Sequence, residues 1–169
     1  MIKTVEIVSL SRISHKNDGF KLLQGPSVFS GKILGGCIES IYDIFNNDRY
    51  EDSVRLCNKY RLFPSLEDWK GRILLLESSE EQPTPEMYEK ILIALKDYGL
   101  FDVVSGVLVG KPMDEKYAEE YKKLLVSIID DPTLPVLCNI SIGHATPRCI
   151  IPFGVNAYVD ADKQLISFE

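Results

Sequence analysis

The sequence predicts an α/β fold, with a parallel strand–helix–strand–helix–strand core followed by a small antiparallel appendage. Three observations carry this. Short apolar runs recur at Arg72–Glu77, Val103–Val109 and Pro135–Ile140. Between them lie two segments with apolar residues at helical spacing, so the strands are parallel and the crossovers right-handed. After them the pattern changes to short stretches separated by turn signals.

Taken in order, Thr4–Leu10 alternates weakly and is read as a strand, and Ser11–Gly19 as a polar loop. Ser27–Leu34 has strand character broken by Gly31, and Gly35-Gly36 is read as a turn. From Cys37 to Phe45, the residues Ile38, Ile41, Tyr42 and Phe45 fall on one face of a helix. A short helix is expected over Glu51–Arg61, before Pro64. RILLLE at Arg72–Glu77 is of buried-strand type. Thr84-Pro85-Glu86 combines a cap, a proline at the first helical position and an early acid. That helix continues through Met87, Ile91, Leu92, Leu95 and Tyr98 and stops at Gly99. Asp114 is expected to cap the next helix, which aligns Tyr117, Tyr121, Leu124, Leu125 and Ile128. Arg148–Ile151, Ala157–Asp160 and Gln164–Phe168 make the appendage, with turns at Pro152-Phe153-Gly154 and Asp160-Ala161-Asp162.

The 169 residues suit one domain and can bury a core. Apolar residues at 45% and charged residues at 26% mark a globular rather than a disordered composition. A net charge of −6 argues against nucleic-acid or anionic-membrane partners. No apolar run approaches the ~18 residues that span a bilayer, and the start lacks the layout of a secretory signal. A cytoplasmic protein is expected. The four cysteines (Cys37, Cys57, Cys138 and Cys149) form no C-x-x-C pair, and with two histidines there is no zinc pattern. They are read as reduced, mostly buried thiols. Glu77, Glu80 and Glu81 are acidic without accompanying ligands, so neither metal nor cofactor is expected.

In an open α/β sheet, ligands bind beyond the carboxyl ends of the parallel strands. Three loops are predicted there: Ser78–Pro83, Gly110–Met113 and Ser141–Pro147. Glu77 closes the first strand and His144 lies in the loop after the third. A carboxylate beside an imidazole fixes its tautomer and stabilises the imidazolium. The plainer alternative is a surface strand-end glutamate and a structural loop histidine. A nucleophile is harder to find. There is no G-x-S-x-G elbow. Ser141 or Cys138 could pair with His144, but neither has an activating neighbour. His15 is read as a solvated loop residue. Gly35-Gly36-Cys37 offers either backbone amides toward a ligand or a tight turn.

Five stretches occur in an order that resembles one family. They are Gly31-Lys32-Ile33-Leu34-Gly35-Gly36-Cys37-Ile38-Glu39, Arg72-Ile73-Leu74-Leu75-Leu76-Glu77-Ser78-Ser79-Glu80, Gly106-Val107-Leu108-Val109-Gly110, Pro135-Val136-Leu137 through Gly143-His144, and Pro152-Phe153-Gly154. The family is the LD-carboxypeptidases, serine peptidases that include the microcin C self-immunity proteins. The resemblance covers about residues 20 to 169 and is closer in wording to the immunity branch. It implies a swivelling β/β/α domain, the C-terminal one of two. It also implies a Ser-Glu-His triad in which Glu77 and His144 take the last two places and an N-terminal domain supplies the serine and oxyanion donors. Substrates would be a small peptide or peptide–nucleotide conjugate, cut at an amide near its C-terminal end, in a homodimeric enzyme without metal. The murein-recycling branch is the alternative, and a non-catalytic binding or interaction module is a second.

The nucleophile domain is not within these 169 residues. A family protein of two domains would be about twice as long, with Met1 then an internal boundary. One half of a site built across two domains is expected to be silent, since losing a triad member costs roughly 10⁴-fold or more. A cut domain would also expose the apolar face that met its partner and would self-associate.

Overall fold

Four parallel strands form the middle of a seven-stranded sheet in the computed structural model, which describes residues 18–169. The strands are β1 (Lys21–Gln24), β2 (Val28–Cys37), β3 (Ile73–Glu77), β4 (Gly106–Gly110), β5 (Val136–Ile140), β6 (Asn156–Asp160) and β7 (Leu165–Phe168). The helices are α1 (Ile38–Tyr42), α2 (Ser53–Tyr60), α3 (Leu66–Trp69), α4 (Pro85–Tyr98) and α5 (Ala118–Ile129). The spatial order is β1-β5-β4-β3-β2-β6-β7. β2, β3, β4 and β5 pair in parallel, while β1, β6 and β7 pair antiparallel with their neighbours. This is the predicted mixed α/β class.

The side-chain alternation of the central strands explains why both their faces are buried. Leu74 and Leu76 of β3 point into a cluster with Ile38, Tyr88, Ile91, Leu95 and Leu125 from the helices. Ile73 and Leu75 point the other way, into a cluster with Phe29, Leu108, Leu137 and Val159. A strand buried on both sides must be apolar at every position, and β3 is, up to Glu77. The second cluster joins β4 to the antiparallel wing. The Phe29 ring lies so close over Gly106 that a Cβ there would sit 2.6 Å from a ring carbon. The wing therefore curls over the parallel core.

β2 belongs to both parts of the sheet. Its first half, Val28–Lys32, pairs antiparallel with β6, and its second half, Ile33–Cys37, pairs in parallel with β3. Neither Gly31 nor Gly35-Gly36 interrupts it, contrary to the predicted break and turn. The glycines serve close approach instead. A Cβ on Gly31 would lie 2.6 Å from the Gly71 carbonyl oxygen, and one on Gly35 would strike the backbone of Leu75. The φ values of 143° and 145° at Gly35 and Gly36 also lie where side chains are strained.

Local signals place α4 as expected. The Thr84 hydroxyl accepts from the Met87 N–H at 3.3 Å, Pro85 opens the helix, and Gly99 ends it in the left-handed conformation at φ 88°. α1 buries Ile38, Ile41 and Tyr42 as predicted but ends at Tyr42. Asp114 does not cap α5. It sits in a short 3-10 turn, Met113–Glu115, at φ 57°, and α5 begins after Tyr117 with no side-chain cap. The carboxylate of Asp114 accepts from the Gln82 side chain at 3.1 Å instead. Arg148–Ile151 forms no strand. β1 and α3 were not foreseen, although Ser65 and Asp68 make a reciprocal capping box at α3. Of the thiols only Cys138 is buried; Cys37 and Cys57 are half-buried and Cys149 is exposed, because only Cys138 lies in the interior of a central strand, Cys37 being the last residue of β2. The strand expected at Thr4–Leu10 and most of the loop at Ser11–Gly19 lie outside the described residues. Among the described residues no helix is long and apolar enough to cross a membrane.

Candidate functional site

Glu77 is the last residue of β3, and two neighbouring strands leave it little freedom. Cys37 of β2 pairs with it directly. On the other side, a Cβ on Gly110 would come within 3.0 Å of the Glu77 Cβ. His144 arrives in the loop after β5, preceded by Gly143 at φ 75°. Gly143 packs against the Glu77 carboxylate, in space that any larger residue would fill. Strand polarity and two glycines thus bring together residues 67 positions apart.

The imidazole Nδ1–H of His144 donates to Glu77 Oε2 at 2.8 Å. The Glu77 side chain is only 11% exposed, against 37% for His144. The other ring nitrogen, Nε2, lies 3.0 Å from Glu80 Oε2, whose side chain is 66% exposed. Two acids on one ring favour the imidazolium, in which both nitrogens donate. The hydrogen bond to Glu77 raises the pKa of His144 above its ordinary value. Partial burial opposes this, the charges of Glu77 and Glu80 add to it, and Arg148 reduces it. The Arg148 guanidinium also donates to the Gly143 carbonyl at 3.3 Å, steadying the loop.

His144 stands between two clefts. One, of about 310 Å³, is lined by Lys111, Asp114, Ser141, His144 and Thr146 among others. The second, of about 210 Å³, includes Cys37, Glu39, Arg49, Ser79 and Glu80. Sequence reasoning singled out Glu77 and His144, and the structure brings them together. It does not bring Cys138 to the histidine. That thiol is buried, its pKa is pushed up to about 12 by desolvation, and it faces a different cleft beside Tyr88 and Tyr121. Ser141 lines the larger cleft, and its carbonyl accepts from the Cys149 N–H and thiol. His15 lies outside the described residues. Two acids were not singled out as partners of the site: Glu80, on the outer face of the ring, and Glu39, which accepts from Ser79. The available signal was their position, each two or three residues beyond a strand end. Among the described residues no three His, Cys, Asp or Glu side chains are grouped to hold a metal ion.

The family model for the LD-carboxypeptidase C-terminal domain matches residues 30–159. The chain is similar to the microcin C7 self-immunity protein MccF of Escherichia coli, 23% identical over 146 residues, covering 85% of this chain and 38% of MccF.

 Among solved structures, an MccF-like protein from Streptococcus pneumoniae in complex with AMP superposes with a TM-score of 0.90 at 59% identity, covering 94% of this chain and 46% of that one. MccF in complex with glutamyl sulfamoyl guanosine shares the fold, with a TM-score of 0.67 at 22% identity over 91% of this chain and 41% of that one. The chain therefore spans less than half the length of these relatives.

Proposed function

We propose that this chain, which belongs to the LD-carboxypeptidase C-terminal domain family, supplies the glutamate and histidine of a serine-peptidase site whose nucleophile comes from a separate N-terminal domain. The observation that carries the reading is the 2.8 Å bond from His144 Nδ1 to Glu77 Oε2. It leaves Nε2 as the nitrogen that faces a reacting group. In the assembled site Glu80 gives up its place at Nε2 to a serine hydroxyl. Nε2 takes the serine proton as the oxygen attacks the scissile carbonyl, and Glu77 offsets the charge on the imidazolium. The same nitrogen then protonates the departing amine as the carbon–nitrogen bond breaks. Water repeats the sequence on the acyl-enzyme and frees the acid and the serine.

The substrate in this reading is a small peptide or peptide–nucleotide conjugate, hydrolysed at an amide near its C-terminal end. The AMP held by the 59%-identical relative supports the conjugate over a murein peptide. A cytoplasmic homodimer completes the proposal.

The test is a chimera in which this chain replaces the matching part of the Streptococcus pneumoniae relative. Glutamyl sulfamoyl guanosine and a murein tetrapeptide ending in D-alanine are offered separately. Release of glutamate from the first is expected, with His144→Ala and Glu77→Gln each slower by about 10⁴-fold. Unchanged turnover in both variants would remove the assignment, and cleavage of the tetrapeptide alone would move it to the murein branch.

A further inference from the structure

Glu39 does not touch His144, yet its carboxylate holds Ser79 directly, and through the Ser79 hydroxyl the Glu81 amide, on either side of Glu80, which does. β2 and β3 are parallel with Cys37 opposite Glu77, so the residues two past each strand end come level. Those residues are Glu39 and Ser79. Glu39 Oε1 accepts from the Ser79 N–H at 3.0 Å and from the Ser79 hydroxyl at 2.7 Å. The hydroxyl in turn accepts from the Glu81 N–H at 3.2 Å. The Cys37 thiol donates to Glu39 Oε2 at 3.3 Å.

We propose that Glu39 is the positioning residue of the acidic arm on His144: through Ser79 and the Glu81 amide it fixes the short loop from which Glu80 reaches Nε2. Ser78 and Ser79 are buried, so donors freed there would lack water to replace the carboxylate. Bonds to a charged acceptor are also the stronger kind. Glu80 itself is exposed, and an exposed side chain on an unanchored loop would not stay 3.0 Å from the ring. This inference deepens the Glu77–His144 reading and rests on it for its catalytic consequence.

The charged groups around His144 are few enough to separate. Glu77 and Glu80 contact the ring, and Arg148 is on its own loop. Lys111, Asp114 and Glu115 line the larger cleft, and Arg49 and Glu81 the smaller, together with Glu39 and the Cys37 thiol. Of these only Glu80 and Glu81 ride on the segment that Glu39 holds.

The experiment is an NMR titration of the His144 ring in this chain, assigned by the signal lost in His144→Ala. Glu80→Gln is expected to lower the midpoint. Glu39→Ala should lower it to the same value, and the double variant should go no lower, because both act on one contact. Glu39→Gln keeps an acceptor oxygen for Ser79 and should return the midpoint toward wild type. The proposal is overturned if Glu39→Ala titrates like wild type, if the two single effects add, or if Glu39→Gln falls as far as Glu39→Ala. Circular dichroism checks the fold. If Glu39→Ala does not fold, Ser79→Ala makes the same test, since it removes the hydroxyl that links Glu39 to Glu81. The titration is read without turnover, so an inactive chimera would count against the proposed function alone.

Discussion

His144 carries an acid on each ring nitrogen, and these contacts act in opposite directions on catalysis and on resting stability. The raised pKa stabilises the folded chain only while the ring is protonated. That contribution is fully present below the ordinary value of 6.5 and is lost as pH rises through the higher folded value. Urea unfolding across this window should therefore show stability falling with rising pH, and Glu77→Gln should flatten the fall. A general base must be unprotonated, so the same shift delays activity to higher pH. Gly143 offers a second test at this scale. An alanine there would strain a backbone at φ 75° and push against the Glu77 carboxylate. Gly143→Ala should cost about 1–3 kcal/mol in urea unfolding and lower the titration midpoint of His144. Glu77 and His144 were legible as residue types at the right ends of strands. Glu80 and Glu39 were not, because their roles depend on how the strand ends line up across the sheet.

At the scale of elements, α4 and β2 show what local signals can and cannot carry. Thr84, Pro85 and Gly99 act on backbone within a few residues, so the limits of α4 could be read from the chain. Thr84→Ala should cost about 1 kcal/mol, measured by thermal or urea unfolding. β2 departs from the expected turn because a Gly-Gly pair is ambiguous in sequence. It marks a turn when the chain reverses, and a close approach when another backbone passes. Here Leu75 passes, and Gly35→Ala should cost about 1–3 kcal/mol, with the loss visible first in amide protection of β2 and β3. Asp114 departs from its expected capping role for a related reason. An aspartate before an apolar periodic run is a good cap signal, but Gln82 from another loop engages its carboxylate.

The whole molecule combines a parallel core with an antiparallel wing, and β2 takes part in both. The exposed apolar residues Ile150 and Phe153 follow the His144 loop, and Ile150 is 94% exposed. Sedimentation velocity should show self-association of the chain at high concentration, reduced in Ile150→Ser/Phe153→Ser; a strict monomer throughout would count against it. The residues in their linear order were enough for the α/β class, for strands β3, β4 and β5, for the long helix between the first two of them, and for the strand end and loop that carry Glu77 and His144. These follow from periodicity, caps and chain direction, which act over a few residues or from the handedness of a crossover. Packing in three dimensions was needed for the rest: β2 runs unbroken through its glycines, the wing curls over the core, and Glu80 and Glu39 join the site. Those outcomes depend on which backbones pass within a few ångströms of one another, and spacing along the chain does not encode that distance.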